Sequence, residues 1–432
     1  MAETYLGKVS NLAFGGEGIV RNEGLVVFIP FTAIGDEIHY RINQRKKNFA
    51  KGELIEILKA SKERTKPLCP YYGSCGGCQL QHLTYEAQLE SKRQWVEDAL
   101  KKQAGLDGIE VPPVLAAEQQ WGYRRRISLI LRPHHGTYHA GYIALDNHSL
   151  IPIAQCPIFI PQEDSLLRKI QELVRQIPSQ GNEDGKLTIL KIEPEGFFLH
   201  FHFRRLPKNI ENILKNAHMT NPEWLSIGAS SPGKSFQIGQ LETEIEVGNL
   251  RFTFSPKTFI QNHPAQSLKI YQRICAEANF LKKGNVLDLY CGVGISSLLL
   301  SKEGFSVTGI EFNAEAVRLA NRNATKNGLS QTQFIQADVG KVLEKMLISK
   351  KPELVVVNPP REGLAVEVLH ALNAHPPPTL IYISCMPPTL ARDLKKLCNS
   401  KFKVVSIQAF DMFPQTTHLE TLIVLQRNRP LA

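Results

Sequence analysis

Over the first sixty residues, short apolar runs at 5–9, 18–20, 25–29, 37–42 and 52–57 are separated by glycine turns. Alternation at this spacing predicts five short strands folded as a small β-barrel. Residues 62–67 are charged and end in Pro67, a linker pattern, and a Cys- and Gly-rich segment follows at 69–82. Between 85 and 102 the period becomes helical, with Leu89, Trp95 and Leu100 able to share a face. From 123 to about 251 the chain reads as β-rich, with strands at 126–132, 187–192 and 197–203 and one interrupting helix at 163–176. After about 251, runs rich in Val, Ile and Leu at 285–290, 306–311, 333–338, 354–358 and 380–384 alternate with helical segments. That alternation predicts a doubly wound, mostly parallel sheet. The last pair, 403–412 and 417–426, has no helix between its members and predicts a hairpin closing the sheet edge. Three domains follow, at 1–60, 61–250 and 251–432, in line with the ~150 residues of an average domain.

The 432 residues are 43% apolar and 21% charged, the composition of a globular chain. The formal charge of +10 favours an anionic partner such as nucleic acid. Arg45, Lys46 and Lys47, in one predicted barrel loop, are either a solvated charge run or an RNA-backbone contact. No apolar run reaches the ~18 residues of a membrane span. The start, Met1-Ala2-Glu3-Thr4-Tyr5, lacks the basic and apolar regions of a secretory signal. A cytoplasmic location is expected, where eight cysteines point to core, ligand or nucleophile rather than disulfides. Nothing in the sequence calls for a protein partner.

Asp288-Leu289-Tyr290-Cys291-Gly292-Val293-Gly294 lies where the first strand of the doubly wound region hands over to a helix. Ligands of open α/β sheets bind at such carboxyl ends. Ile295 and two serines stand where a dinucleotide fingerprint has its third glycine, so no pyrophosphate cradle is indicated. Glu311 and Asp338 end the next two strands, placed for a ribose and near an adenine. The set resembles an S-adenosylmethionine site; the plainer reading is that the three acids only cap strands or helices.

Cys385 follows the fifth strand and precedes a helix at 389–397, whose dipole is expected to lower the thiol pKa from ~8.5. Glu420 opens the apolar run 422–425, and an acid heading a buried strand suits a general base with a raised pKa. His418 is read as a turn residue, Cys275 and Cys398 as core, and Cys291 as part of the cofactor loop. Cys69-x5-Cys75-x2-Cys78, with Cys156 78 positions later, can ligate a closed 4Fe-4S cluster. Zinc is the alternative, although structural zinc usually shows two short knuckles. Tyr123, Arg124, Arg125 and Arg126 suit either a phosphate grip or structural ion pairs.

Three segments then carry a resemblance: Cys-Pro-Tyr-Tyr-Gly-Ser-Cys-Gly-Gly-Cys-Gln-Leu-Gln-His (69–82), Ser-Cys-Met-Pro-Pro-Thr-Leu-Ala-Arg-Asp-Leu (384–394) and Asp-Met-Phe-Pro-Gln-Thr-Thr-His-Leu-Glu (411–420). Over nearly its whole length the chain resembles the RNA uracil-5 methyltransferases. The resemblance implies an α/β doubly wound methyltransferase domain, an N-terminal OB-like TRAM barrel that binds RNA, and a β-rich central domain with the cluster. Helix 85–102 would pack on the catalytic domain. It further implies Cys385 as nucleophile, Glu420 as proton acceptor, and Cys69, Cys75, Cys78 and Cys156 as 4Fe-4S ligands. Gln261, Tyr290, Glu311, Asp338 and Asn358 fall where the family contacts S-adenosylmethionine. The implied substrate is a uridine of 23S rRNA. A tRNA uridine is the first alternative, and a non-catalytic RNA-binding iron–sulfur protein the second. Departures from the family pattern are Asn358 for Asp before Pro359-Pro360-Arg361, Asn262-His263 after Gln261, and Ile295 for Asn or Thr. The Asn358-Pro359-Pro360 run also suggests an amino methyltransferase, but those enzymes follow it with an aromatic residue.

Overall fold

The computed structural model describes residues 3–159, 164–179, 181–192, 194–399 and 401–428. Met1 and Ala2, used above against a signal sequence, and Glu163, the expected first residue of the central helix, lie outside the described residues.

The N-terminal strands form one six-stranded sheet. Thr4–Lys8 stands at one end of its order, paired with Glu37–Arg45, and Asn11–Leu12 at the other, paired with Gly18–Asn22; Phe49–Lys59 and Leu25–Ile29 lie between. Leu25–Ile29 and Phe49–Lys59 pair parallel and the other neighbours antiparallel. Its core is small, built on Val9, Val20, Val27, Ile29, Ile38 and Tyr40.

Helix Tyr85–Ala99 starts at Thr84, whose hydroxyl accepts from the Ala87 N–H, and runs into a π-helical turn, Leu100–Ala104, ended by left-handed Gly105. Val96, Ala99 and Leu100 pack into the C-terminal core.

The central region holds a seven-stranded sheet containing Arg126–His134, Gly185–Ile192 and Gly196–His202. One face packs on helix Asp164–Val174 and also on Ile210–Thr220. The expectation of a single interrupting helix is therefore corrected. Ile210, Ile213, Leu214 and Ala217 recur at helical spacing and cover the sheet. The other face, through Leu190, Ile192 and Phe198, packs against hairpin Thr243–Val247/Leu250–Phe254 and the C-terminal region.

That C-terminal region is a second seven-stranded sheet. Its strands are β1 (Asn285–Leu289), β2 (Ser306–Glu311), β3 (Gln333–Gln336), β4 (Leu354–Val357), β5 (Thr379–Ser384), β6 (Phe402–Phe410) and β7 (Glu420–Arg427). The order is β3-β2-β1-β4-β5-β7-β6, parallel from β1 to β5, with β7 antiparallel to β5 and β6. The last pair does close the edge, with β7 inserted inside β6. Alternate residues divide between two cores: Leu287, Val355 and Tyr382 on one face, Val286, Val356 and Ile381 on the other. Burial on both faces explains the unbroken Leu-Val-Val-Val of β4. Strand order reverses between β1 and β4, and the crevice there is where such a sheet binds ligands. No helix among the described residues is long and apolar enough to cross a membrane.

Candidate active site

One cavity of about 780 Å³ opens at the carboxyl ends of β1, β4 and β5. Tyr290 and Gly292 after β1, Glu311 at the end of β2, Asn358 after β4 and Gln261 before helix Pro264–Asn279 all line it. Loop 288–294 is fixed from beneath. The Asp288 carboxylate, 1% exposed, accepts hydrogen bonds from the Ser296 and Ser297 hydroxyls, both at 2.6 Å. Burial pushes Asp288 up to about 6, and the two hydroxyls oppose that shift. Tyr290 sits in left-handed backbone at φ +63°, a strained position for a non-glycine residue beside the crevice. Gly294, at φ +87°, leaves no room for a side chain: a Cβ there would meet the Phe334 ring at 2.7 Å.

Glu311 receives the backbone N–H of Gly292 at 3.1 Å and of Asn313 at 2.8 Å, leaving lone pairs toward the cavity it lines. Asp338 does not line the cavity; it caps helix Val339–Lys350 by accepting from the Gly340 N–H. Burial pushes the Tyr290 phenol upward, and the Asp338 charge adds to it. Ile295 packs with Val293 and Leu298 in an apolar cluster.

Cys385 and Glu420 meet through strand register. Ser384 on β5 partners Thr421 on β7, so the next positions in that register are 385 and 420. Both side chains line the cavity. Glu420 is 5% exposed, its Oε2 has no hydrogen-bond partner, and burial raises its pKa to about 8, with Arg361 pulling the other way. The low thiol pKa expected at Cys385 is corrected. Burial, then the Glu420 charge, pushes it up to about 11, and Arg361 partly offsets this. A helix start was visible in the sequence; the depth of the pocket was not.

Two residues of this centre were missed as such. Arg361, after the Asn358-Pro359-Pro360 run, lies against Cys385 and within electrostatic reach of Glu420, and its guanidinium is 3.5 Å from His418 Nε2. His418 lines the cavity, edge-on to Phe413, with burial and then Arg361 holding its pKa down at about 4. Arg124 and Arg126 line the cavity as well, with hydrogen bonds to the carbonyls of Arg126 and Thr258. Tyr123 is buried and donates to the Pro414 carbonyl.

The same cavity wall carries Cys69, Cys75, Cys78 and Cys156. Segment 69–82 is pinned to the central hairpin by Gly76 N–H to Ile143 and Leu145 N–H to Ser74. The Gly77 N–H points at Cys75 Sγ at 3.4 Å. Burial, then Cys156, Cys69 and Cys75, pushes Cys78 up to about 12, so the four sulfurs lie within electrostatic reach. Four soft thiol donors on one wall are the chemistry of a sulfur-ligated centre. Among the described residues, no group of three or more His, Cys, Asp or Glu is drawn into a metal-holding arrangement. Cys275 and Cys398 pack on the cores, as expected, and Cys291 is buried in loop 288–294.

Comparison with known proteins agrees with this geometry. The sequence profile of the tRNA (uracil-5-)-methyltransferases matches residues 227–428. An uncharacterized RNA methyltransferase of Protochlamydia amoebophila is 44% identical over 98% of this chain and 97% of its own length. Another, of Synechocystis, is 33% identical over 97% and 94%. The crystal structure of Pyrococcus abyssi tRNA (uracil-54, C5)-methyltransferase with S-adenosyl-L-homocysteine superposes with a TM-score of 0.74, at 25% identity, over 98% of this chain and 100% of that one. By relatives matched end to end and by a fold shared over its whole length, the chain belongs to the uracil-5 family of S-adenosylmethionine-dependent RNA methyltransferases.

Proposed function

We propose that the chain methylates carbon 5 of a uridine in 23S rRNA through a covalent adduct at Cys385. The observation that carries this reading is the β5–β7 register, which sets a thiol beside a buried, unpartnered carboxylate in the cofactor cavity. Carbon 5 of uracil is too weak a nucleophile to attack a sulfonium unaided. Addition of Cys385 Sγ to carbon 6 places the electron pair on carbon 5, which then takes the methyl group. Glu420 removes the carbon 5 proton, and the pair returning to the ring expels the thiolate. Arg361 supplies the positive charge that favours thiolate and carboxylate in a desolvated site. The uridine must leave its stack to enter the cavity. Gln261, Tyr290, Glu311, Asn358 and Asp338 are assigned to the cofactor, Asp338 from the start of the helix it caps. The barrel is read as a TRAM domain, with exposed Arg45, Lys46 and Lys47 on RNA phosphates, working in the cytoplasm.

Methyl-labelled S-adenosylmethionine, offered with unmodified 23S rRNA and with tRNA, will label 5-methyluridine in the rRNA. Label confined to tRNA would favour the second reading, which the name of the Pyrococcus relative supports. Label on an exocyclic amino group, or none, would overturn the chemistry.

Cys69, Cys75, Cys78 and Cys156 are assigned to a 4Fe-4S cluster, which when bound would tie the Cys-rich segment to the central sheet. Anaerobically purified protein will be brown, with about four irons per chain. Cys156→Ala will lose iron and thermal stability together, because the distant ligand joins two parts of the fold. One zinc and no iron would overturn the assignment.

A further inference from the structure

The loop that delivers Glu420 is held by a helix far from it in sequence. Gln415 adopts left-handed backbone, φ +72°, which a non-glycine residue keeps only when its surroundings impose it. Its N–H donates to Gln88 Oε1 at 2.9 Å, and its Oε1 accepts from Gln88 Nε2 at 3.0 Å. Its carbonyl accepts from the N–H groups of Gln79 and Leu80. One turn further along the same helix, Lys92 reaches Asp411 at 2.6 Å and the Phe413 carbonyl at 3.1 Å. Both side chains of that ion pair are 0% exposed. Burying two charges is a poor way to stabilise a fold, since apolar side chains of similar size do as well. Here the pair fixes direction: it sets where the chain leaves β6, and Gln88 sets how it turns back into β7.

We propose that Gln88 and Lys92 are positioning residues for proton removal, holding 411–418 so that Glu420 meets the adduct; this rests on the reading of Glu420 as the base. Neither residue lines the cavity, so neither touches the reacting atoms.

The test uses full-length Gln88→Met, and Lys92→Met paired with Asp411→Asn so that no lone charge is left buried. Each replacement is close in volume to the residue it replaces. Both variants will fold, melt somewhat lower for the buried hydrogen bonds they lose, and keep the wild-type KM for S-adenosylmethionine. Turnover on RNA will fall about ten- to a hundred-fold, the usual cost of a group misplaced by about an ångström. Methylated protein–RNA complex will accumulate on denaturing gels, as a general loss of structure would not cause. Variants with wild-type turnover, or variants that lose turnover without accumulating complex, overturn the positioning role. Wild-type protein run beside them separates the two ideas: if it turns over while the variants match it, only the positioning role falls. If it makes no 5-methyluridine, both fall.

Discussion

RNA carrying 5-fluorouracil at the target position will form a complex with the wild-type protein that survives denaturation, and Cys385→Ala will abolish both that complex and turnover. Once Sγ has added to carbon 6 and the methyl group has moved to carbon 5, the base must withdraw a proton from carbon 5. Fluorine there cannot depart as a cation, so the ring stays saturated and the carbon–sulfur bond stays closed. The rate of trapping carries information about the thiol. Burial puts Cys385 at about 11, so only about one thiol in ten thousand is ionised at pH 7. Trapping should therefore speed up nearly tenfold per pH unit across the neutral range, until the protein unfolds or the thiol is ionised. A rate flat between pH 6 and 9 would mean that bound RNA, with Arg361, has already drawn the proton off. Full activity in Cys385→Ala would defeat the covalent mechanism outright.

How legible the site was depends on whether its parts lie in strands or between them. The β1–β5 alternation predicts the sheet, and the sheet predicts the crevice, because parallel order and ligand position are tied by topology. Cys385 and Glu420 stand at strand ends, so their roles could be argued from position before their meeting was visible; that meeting needs the β5–β7 register, which two separate apolar runs do not encode. Arg361 and His418 stand in loops, where no periodicity marks a side chain's direction, and both were passed over as members of the centre. Helix Ile210–Thr220 had the spacing of an amphipathic helix, but its strand-rich surroundings overrode the signal. The Cys385 pKa has the same origin: a helix start is local and readable, whereas burial and the Glu420 charge come from elements that meet only in the fold. Asp338 shows the converse, since the plainer role of helix cap is the one its carboxylate makes visible.

Glu420→Gln will separate methyl transfer from product release. Addition and methylation need no base at carbon 5, so the variant should carry labelled methyl into a covalent complex with ordinary uracil RNA. Release should be slowed by about a hundred- to ten-thousand-fold, the range for loss of a general base. In the wild type the carboxylate must be ionised to act, and burial holds it at about 8. Release should rise about tenfold per pH unit below that value and level off above it, and in Glu420→Gln this slope should vanish. Stability should move the other way. Below pH ~4.5 the carboxyl is protonated folded or unfolded, so its burial costs nothing extra there. As pH rises from 4.5 through 8, the unfolded chain gives up the proton first and the folded state is penalised, by on the order of 5 kcal/mol at most once the group is ionised in both. Replacing the carboxylate with a neutral amide removes that penalty, so Glu420→Gln should melt higher than the wild type at pH 8–9 and close to it at pH 4. A residue present only to support the fold would behave oppositely, with the variant melting lower at every pH and no complex accumulating. Melting curves and denaturing gels on the same two proteins, at pH 4 and pH 8.5 for the first and pH 7.5 for the second, decide between them.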